Sequence, residues 1–489
     1  MRTKLYFLLW ICFSVLFVSC GDNDGEPDVA AVTGIELNRS ELSLKEGKSE
    51  TLIAVVTPDN ATNKKVTWKS SNASVATVDA NGKVTALKSG RTTITVITED
   101  GGKEAVCKVT VQSSVSVKGG RTVLVYLAAD NSLSTFALGD LAEMKEGMAL
   151  IGDNNANLLV YIDVKGSSSP RLIELKNENG AVTETVVKTY GSRNSVGVAE
   201  TQEVFADVFS NSKYQAESYG LVYWSHGDGW LPYPLTAGTR WVGQDTGNGD
   251  NRMNISEFVE ILATAPSFDF ILFDACFMQS VEVAYELRDY TNYCIGSPTE
   301  IPGPGASYDE VVPAMFSTGE VAVNIGKAYY EPYAAKYDGG KGISNTNWTG
   351  GASVCVLKTD QLDELARVTK EILPEAADKA QLRSSVFDYD QRGGSGGYQD
   401  GHVGYYDLLG MMHLIADDSA YATWKRAFDA TVAYWNTTPM NYSSYVAMFS
   451  MENTNGVSCY IPTASDNLTD KAYRSTEWYT VAGFDKLNW

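Results

Sequence analysis

A cysteine and a histidine fifty positions apart could form a thiol–imidazole pair in this chain. His226 comes shortly after the apolar run at 220–224, and Cys276 comes shortly after the apolar run at 270–273. An apolar run that ends in a reactive side chain is typical of a buried strand whose carboxyl end reaches the edge of a parallel sheet. If both strands end at one edge, the thiolate can attack a carbonyl carbon while the imidazole protonates the leaving amine. The pattern therefore predicts a cysteine hydrolase.

Two neighbours of this pair have predicted roles in the same site. Residues two apart in an extended strand face the same side, so Asp274 is expected beside Cys276, on the floor of a pocket. A carboxylate in a partly dry pocket favours a cation, and a guanidinium most of all because it can bond in two places. Gly227 has no side chain to crowd its N–H, which we expect to help hold the oxyanion.

The segment after Cys276 is amphipathic from 277 to 287, and we expect a helix to begin directly after the thiol. The positive end of the helix dipole would then shift the thiol towards thiolate near neutral pH. Other interpretations stay open on these residues alone. Cys276 could be a core residue, His226 a structural one, and Asp274 only a cap of the following helix.

The elements that position these residues alternate between strand and helix from residue 121 to 489. We expect strands at 122–128, 157–164, 220–224, 270–273 and 456–462, and helices at 138–148, 199–209, 255–263, 362–376, 403–415 and 423–434. Repeated strand–helix–strand units predict an α/β domain with a mainly parallel sheet and helices on both faces.

The N-terminus has the features of an export signal. Arg2 and Lys4 precede an apolar stretch, and Cys20 follows a small residue, an arrangement that resembles the lipidation motif of bacterial lipoproteins. We expect residues 1–20 to be a lipoprotein signal peptide and 21–31 an acidic linker. The protein is then exported and lipid-anchored to the outer membrane, facing the cell surface; plain secretion is the alternative.

Residues 32–112 have the pattern of an all-β domain. Short runs in which apolar and polar residues alternate are separated by turn signals such as Asn81-Gly82. Trp68-Lys69-Ser70-Ser71-Asn72 and Gly82-Lys83-Val84-Thr85-Ala86 follow the pattern of the bacterial Ig-like group 2 domain, which this segment resembles. The resemblance implies an Ig-like sandwich that serves as a spacer or an adhesive module.

Charge and cysteine content narrow the function further. The net charge of −21 gives no basic excess for a nucleic-acid backbone, so we expect no nucleic-acid partner. Of the seven cysteines, Cys12 and Cys20 lie in the predicted leader, and the odd remainder leaves at least one thiol unpaired in an exported protein. The cysteine spacings fit no zinc pattern, and we predict no metal ligand set.

Residues 121–489 resemble the clostripain family of caspase-like cysteine peptidases. The motifs that carry the resemblance are Ala128-Ala129-Asp130-Asn131-Ser132, Ser225-His226-Gly227-Asp228-Gly229-Trp230, Asp274-Ala275-Cys276-Phe277 and Gly456-Val457-Ser458-Cys459-Tyr460. The resemblance implies a caspase-like three-layer sandwich, a catalytic dyad at His226 and Cys276, and Asp274 as the acidic residue of the primary pocket. It also implies endopeptidase activity on proteins and peptides after Arg, and less readily after Lys.

Family members are often activated by self-cleavage between the histidine and the cysteine. Only Arg240 and Arg252 are basic in that segment, and Arg240 lies in a stretch of small residues. We expect cleavage after Arg240 in a monomer that then consists of two chains. No cofactor is expected to be required, although calcium stays an open option because some family members need it. The acidic stretch at 245–251 does not fit the EF-hand pattern.

The competing hypothesis is a surface adhesin whose caspase-like domain only binds. The presence of Cys276, His226 and Asp274 together argues against it, because a binding scaffold does not need all three.

Overall fold

The computed structural model describes residues 30–88, 90–112, 120–152, 156–166, 169–178, 180–231, 241–247, 249–393, 402–487 and 489. The predicted leader with Cys20 and the predicted cleavage site at Arg240 lie outside these residues. Among the described residues, helices that combine the length and the apolar character needed to cross a bilayer are not found.

The N-terminal unit is all-β. Its strands are β1 (Gly34–Leu37), β2 (Glu41–Lys45), β3 (Ser49–Thr51), β4 (Ala54–Thr57), β5 (Val66–Ser70), β6 (Ala76–Val78), β7 (Lys83–Ala86), β8 (Gly90–Thr98) and β9 (Glu104–Gln112). They form a four-stranded sheet in the order β2-β9-β8-β5, a three-stranded sheet β3-β7-β6 and the pair β1-β4. Trp68 packs against the buried cluster between them, and a side chain on Gly82 would lie 2.8 Å from its ring. The predicted Ig-like sandwich is confirmed.

The second unit combines strands and helices. Its strands are β10 (Arg121–Ala129), β11 (Ala156–Val164), β12 (Arg171–Glu178), β13 (Ala181–Thr189), β14 (Ser218–Trp224), β15 (Val242–Asp245), β16 (Asn251–Met253), β17 (Phe270–Asp274), β18 (Tyr293–Gly296), β19 (Ser353–Lys358), β20 (Tyr406–Asp407), β21 (Val432–Thr437), β22 (Met440–Ser443), β23 (Ala447–Ser450) and β24 (Ser458–Cys459). Its helices are α1 (Ser134–Ala149), α2 (Val198–Phe209), α3 (Ile255–Leu262), α4 (Val281–Leu287), α5 (Tyr308–Met315), α6 (Val321–Lys336), α7 (Leu362–Ile372), α8 (Lys379–Ser385), α9 (Leu408–Ile415), α10 (Asp418–Thr431), α11 (Leu468–Tyr473) and α12 (Glu477–Val481).

The described residues form a nine-stranded sheet in the order β13-β12-β11-β10-β14-β17-β18-β19-β21. The five central strands, from β11 to β18, are parallel to one another. Two further strands follow on each side, and each of them pairs antiparallel with its inner neighbour. The predicted caspase-like α/β fold is confirmed. The edge strands were not predicted, because strands such as β13 are half-exposed and carry polar residues instead of an apolar run.

Helices cover both faces of this sheet. The cluster on one face contains residues of α1, α5 and α6, and the cluster on the other contains residues of α2, α3, α4, α7 and α10. Alternate residues of each central strand join opposite clusters: in β17, Phe270 and Leu272 join the first, and Ile271 and Phe273 join the second. This burial on both faces explains why the central strands are continuous apolar runs.

Several elements differ from the sequence prediction: among them, the helix expected at 403–415 begins only at Leu408, after strand β20, and the helix expected at 362–376 ends at Ile372. The helix expected directly after Cys276 begins only at Val281, capped by the Ser280 side chain. The expected late strand is reduced to β24, which pairs with β20 and lies outside the large sheet. The helix expected at 423–434 ends at Thr431, where the chain becomes strand β21. For β24 and β21, strand pairing between distant segments decides the outcome, not local propensity.

Candidate active site

His226 lies two residues beyond the carboxyl end of β14. The segment that follows is fixed by β15: Gly227 forms a bridge with Val242, the Gly243 N–H donates to the His226 carbonyl at 2.9 Å, and the Asp228 N–H donates to the Trp241 carbonyl at 2.7 Å. In an antiparallel pair with these outer bonds, the central N–H points away from the partner strand. The Gly227 N–H therefore points away from Val242.

Cys276 lies two residues beyond the end of β17, the strand next to β14. The register pairs Trp224 with Asp274, so the segments that follow β14 and β17 leave the sheet side by side. A side chain on Gly227 would lie 2.7 Å from the Ala275 Cβ and 3.0 Å from the Cys276 carbonyl oxygen. Only glycine allows so close an approach, and the backbone after His226 therefore touches the backbone at Cys276.

The imidazole of His226 is held by a hydroxyl group. Its Nε2 lies 2.8 Å from the Ser132 Oγ, in the loop between β10 and α1. Burial, together with the nearby positive charge of Arg252, lowers the pKa of His226. The ring is therefore neutral near pH 7 and can accept a proton.

Cys276 is a half-buried residue, and the Ile301 N–H donates to its sulfur at 3.4 Å. Burial, reinforced by the negative charge of Glu300, raises the pKa of Cys276 to about 12. The expected helix dipole does not act on this thiol. Phe277 adopts a φ of 60°, its N–H donates to the Thr299 carbonyl, and the chain turns before α4 begins.

Asp274 is buried on the face covered by α1, α5 and α6. Its Oδ2 accepts hydrogen bonds from the Ala306 N–H and the Tyr308 hydroxyl, and its Oδ1 accepts one from the Tyr329 hydroxyl, each at 2.9 Å. Cys276 packs against the cluster on the opposite face. Cys276 is also close enough to Tyr329, the donor to Asp274 Oδ1, for its charge to help raise the pKa of that hydroxyl. That Asp274 and Cys276 line one pocket stays a prediction.

Arg392 is a residue of this region that the sequence did not single out. Its guanidinium donates two hydrogen bonds to Asp228, at 3.0 and 3.1 Å, and a third to Asp390 at 2.6 Å. The same group lies over the ring of Phe277, 5.0 Å from its centre. Arg392 thus connects the residues after His226 with the residue after Cys276. The glycine-rich sequence at 393–397, directly after Arg392, is the sequence signal at this position.

The other histidines and cysteines lie in different settings. The His402 Nε2 lies 2.7 Å from the Asp388 carboxylate, and the His413 ring packs against Tyr421. Cys107, Cys294, Cys355 and Cys459 are buried free thiols. Among the cysteines that the structure describes, Cys276 is thus the one that combines partial exposure with a neighbouring histidine loop.

One group among the described residues has the donor set for a metal ion: the buried carboxylates of Asp130, Asp163 and Asp245. The sequence patterns predict no metal ligand set, and they place Asp245 only within the acidic stretch at 245–251. An Asp that follows or ends an apolar strand was the missed signal for Asp130 and Asp163.

Fold and site together define a caspase-like α/β domain in which a histidine loop and a cysteine meet at the carboxyl edge of the sheet. The model of the Clostripain family matches residues 125–489, and that of the Bacterial Ig-like domain (group 2) matches residues 31–109. The chain therefore belongs to the clostripain family of cysteine peptidases and carries an N-terminal Ig-like domain.

Solved structures of C11 proteases share the fold. A secreted C11 cysteine protease from Bacteroides thetaiotaomicron, in complex with an irreversible peptide inhibitor, is 49% identical, with a TM-score of 0.68; the match covers 76% of this chain and all of that one. An inactive zymogen C11 protease from Parabacteroides distasonis is 31% identical, with a TM-score of 0.61, and the match covers 75% of this chain and 99% of that one.

Clostripain from Hathewaya histolytica is 26% identical over 241 residues, which cover 44% of this chain and 45% of clostripain. The chain spans less than half the length of the curated relatives it matches.

Proposed function

We propose that this chain is a cysteine endopeptidase that hydrolyses peptide bonds after Arg, and less readily after Lys, through Cys276 and His226. The observation that carries the proposal is the contact between the Gly227 backbone and Ala275–Cys276, which brings the histidine loop onto the cysteine. Membership of the clostripain family supports the same activity.

In the proposed reaction the Cys276 sulfur, after losing its proton to His226, attacks the carbonyl carbon of the scissile bond. The carbonyl oxygen becomes an oxyanion that the Gly227 N–H stabilises. The C–N bond then breaks, His226 returns the proton to the leaving amine, and a thioester remains on Cys276. Water, deprotonated by His226, attacks the thioester and releases the acid and the thiol.

The acidic residue proposed to select the cationic side chain is Asp274. It is two residues from Cys276, and burial raises the pKa of its carboxyl group while three donors counteract that rise. Within the described part of the chain the Tyr329 hydroxyl is the one donor to Oδ1, so its rotation would expose an acceptor for an incoming guanidinium. The pocket then forms when substrate enters.

The uncut chain has the features of a resting enzyme. A thiol with a pKa of about 12 is protonated at neutral pH. We propose that cleavage after Arg240, in the segment between β14 and β15, gives the active two-chain monomer. A relative described as an inactive zymogen supports this order of events.

We also propose that the protein is exported and anchored to the outer membrane by a lipid on Cys20. The leader-like composition of residues 1–20 and the description of a relative as secreted support this placement.

The test is hydrolysis of fluorogenic peptides that carry Arg, Lys or Asp before the scissile bond. Wild type should cleave the Arg peptide best and should lose activity after thiol alkylation. Cys276→Ala and His226→Ala should lower kcat/KM by at least about a thousandfold, as removal of a nucleophile or its base does. Cys107→Ala, a buried thiol in the Ig-like domain, is the matched control. Equal activity of wild type and Cys276→Ala would refute the proposal.

A further inference from the structure

Arg392 contacts both the histidine loop, residues 225–231, and the cysteine loop, residues 275–280. Its guanidinium donates to the two carboxylate oxygens of Asp228 at 3.0 and 3.1 Å. Parallel hydrogen bonds between a guanidinium and a carboxylate fix their relative orientation as well as their distance. Only 10% of the Arg392 side chain and 16% of the Asp228 side chain are exposed, so this pair is shielded from solvent. Loss of Arg392 would deprive a buried carboxylate of this partner, which is costly.

The guanidinium of Arg392 reaches the cysteine loop through the ring of Phe277, the residue after Cys276. It lies over this ring, 5.0 Å from its centre. Phe277 has a φ of 60°, which is uncommon for a residue with a bulky side chain. Surrounding contacts must therefore hold it in this conformation, and a cation over the ring face supplies one of them.

Tyr405 contacts the same two loops. Its ring stacks on Phe277, with 5.3 Å between the centres and 17° between the planes. Its hydroxyl donates to the Asp228 carbonyl at 2.6 Å. A side chain on Gly229 would lie 2.1 Å from this hydroxyl, so the histidine loop passes directly over the tyrosine. Arg392 and Tyr405 therefore contact the two loops at the same residues, Asp228 and Phe277.

Two aspartates join Arg392 to Tyr405. The Asp390 carboxylate accepts from the Arg392 Nε at 2.6 Å and from the Val403 N–H at 2.9 Å. The Asp388 carboxylate accepts from the Tyr405 N–H at 2.9 Å. Because the two aspartates are two residues apart, these bonds hold Arg392 and Tyr405 in one hydrogen-bonded unit that packs on both loops.

The contact that this unit supports is the approach of the histidine loop to Cys276. Gly227 lies next to Asp228, and a side chain on it would lie 3.0 Å from the Cys276 carbonyl oxygen. Van der Waals contacts of this kind hold two loops together only weakly. Bidentate hydrogen bonds between charged groups are stronger. We therefore expect the pair of Asp228 and Arg392 to decide how closely the loops meet.

We propose that Arg392 is a positioning residue: it holds the histidine loop against the cysteine loop, so that His226 and the Gly227 N–H keep their places beside the Cys276 sulfur. Its effect on catalysis rests on the proposed peptidase function. A displacement of about 1 Å between reacting groups can lower a rate by about a hundredfold. A small opening of the loops is therefore enough to suppress the reaction.

Arg383 is the matched control, because it forms the same kinds of contact at another place. Its guanidinium donates to the carbonyls of Ile461 and Val403, and it lies over the ring of Tyr406, 5.0 Å from the centre. Arg383→Gln removes a half-buried guanidinium that lies over a ring, as Arg392→Gln does, but it leaves the pair with Asp228 intact.

The first measurement is hydrolysis of a fluorogenic arginyl peptide by the full chain. Arg392→Gln should lower kcat by about 30-fold or more and change KM by less than about threefold, because the reacting groups are displaced while the substrate pocket stays. Arg383→Gln should keep kcat within about threefold of wild type.

The double variant Arg392→Gln/Asp228→Asn separates positioning from stability. It removes both charges of the pair and should melt closer to wild type than Arg392→Gln does. Its kcat should stay low, because the loops are still not held together. A recovery of kcat along with the melting temperature would show that Arg392 only stabilises the fold, and the proposal would be overturned.

A second measurement does not depend on peptidase activity. Burial lowers the pKa of His226, and the charge of Asp228 opposes this effect. Loss of Arg392 should leave Asp228 uncompensated and open the ring to solvent, and both changes raise the pKa of His226. The chain has three histidines, so NMR can follow their imidazole signals in the Cys276→Ala chain. The titration midpoint of His226 should rise by about 0.5 pH unit or more in Arg392→Gln and stay unchanged in Arg383→Gln.

The two measurements keep the two proposals apart. An unchanged His226 midpoint in Arg392→Gln, or a kcat within about threefold of wild type, would overturn the positioning role. If wild type cleaved no peptide, the peptidase proposal would fail, and the NMR titration alone would decide the role of Arg392.

Discussion

The Ser132 Oγ lies 2.8 Å from the Nε2 of His226, so a hydroxyl from the loop after β10 holds the imidazole that follows β14. The two strands are parallel neighbours, and their carboxyl ends therefore open at the same edge of the sheet. A hydroxyl can donate to a neutral ring and accept from a charged one. Ser132 is thus a positioning residue that suits both protonation states of His226.

Replacement of Ser132 tests this role. Ser132→Ala should lower kcat/KM for an arginyl peptide about 3- to 30-fold, which corresponds to the loss of one hydrogen bond. It should also shift the acid limb of the pH–rate profile, because the ring loses a partner. Ser132→Thr keeps the hydroxyl and should restore most of the activity. An unchanged pH profile in Ser132→Ala would contradict the positioning role.

The raised pKa of the Cys276 thiol predicts how an alkylating agent reacts with the uncut chain. Only the thiolate reacts, and a thiol with a pKa of about 12 ionises in proportion to hydroxide over the whole range below that value. The rate of iodoacetamide modification of Arg240→Ala, which should stay uncut, should rise about tenfold per pH unit from 7 to 10 without a plateau. Mass spectrometry of the Cys276 peptide measures it, and a plateau below pH 8 would show that the thiol is already activated.

Removal of the charge at Asp274 should change specificity. Asp274→Asn keeps the shape and should lower kcat/KM for the Arg peptide by about a hundredfold or more, while activity on neutral peptides falls less. Tyr329→Phe removes the single donor to Oδ1 and leaves the charge, so it should retain cleavage after Arg. Parallel losses on cationic and neutral peptides would assign Asp274 a purely structural role.

The close approach at Gly227 should tolerate no side chain. Gly227→Ala places a methyl group 2.7 Å from the Ala275 Cβ, which should destabilise the fold by about 1–3 kcal/mol and push the histidine loop away from Cys276. Activity should fall by at least about a hundredfold at a temperature where the variant is folded. Gly139→Ala, in α1 with open space around the new methyl group, is the control and should stabilise slightly.

The buried carboxyl group of Asp140 predicts a dependence of stability on pH. Burial, together with the nearby charge of Asp274, raises the pKa of Asp140 to about 9 from 3.8. The folded chain therefore keeps a proton that the unfolded chain releases between these values, and the free energy of unfolding falls as pH rises through this window. Asp140→Asn should raise the unfolding free energy at pH 8 by roughly 1–4 kcal/mol and flatten the slope. Denaturant titrations at pH 5 and pH 8 measure it; an equal change at both would contradict the raised pKa.

The sequence by itself determined the fold class and the pair of residues proposed to react. Strands buried on both faces are apolar runs, so β10, β11, β14 and β17 were visible, and the residues that follow β14 and β17 had to emerge at one edge. The family motifs in the same places added the peptidase class. The apolar runs and the motifs are local in sequence, because a strand that is buried along its whole length consists of apolar residues.

Tertiary structure decided what depends on contacts between distant segments. The left-handed turn at Phe277 separates Cys276 from α4, because the Thr299 carbonyl binds the Phe277 N–H from another loop. The Arg392–Asp228 pair and the convergence of Asp130, Asp163 and Asp245 likewise join residues far apart in the chain. Such contacts cannot be predicted from a local sequence pattern, because each partner alone is an ordinary polar residue at a strand end or in a loop.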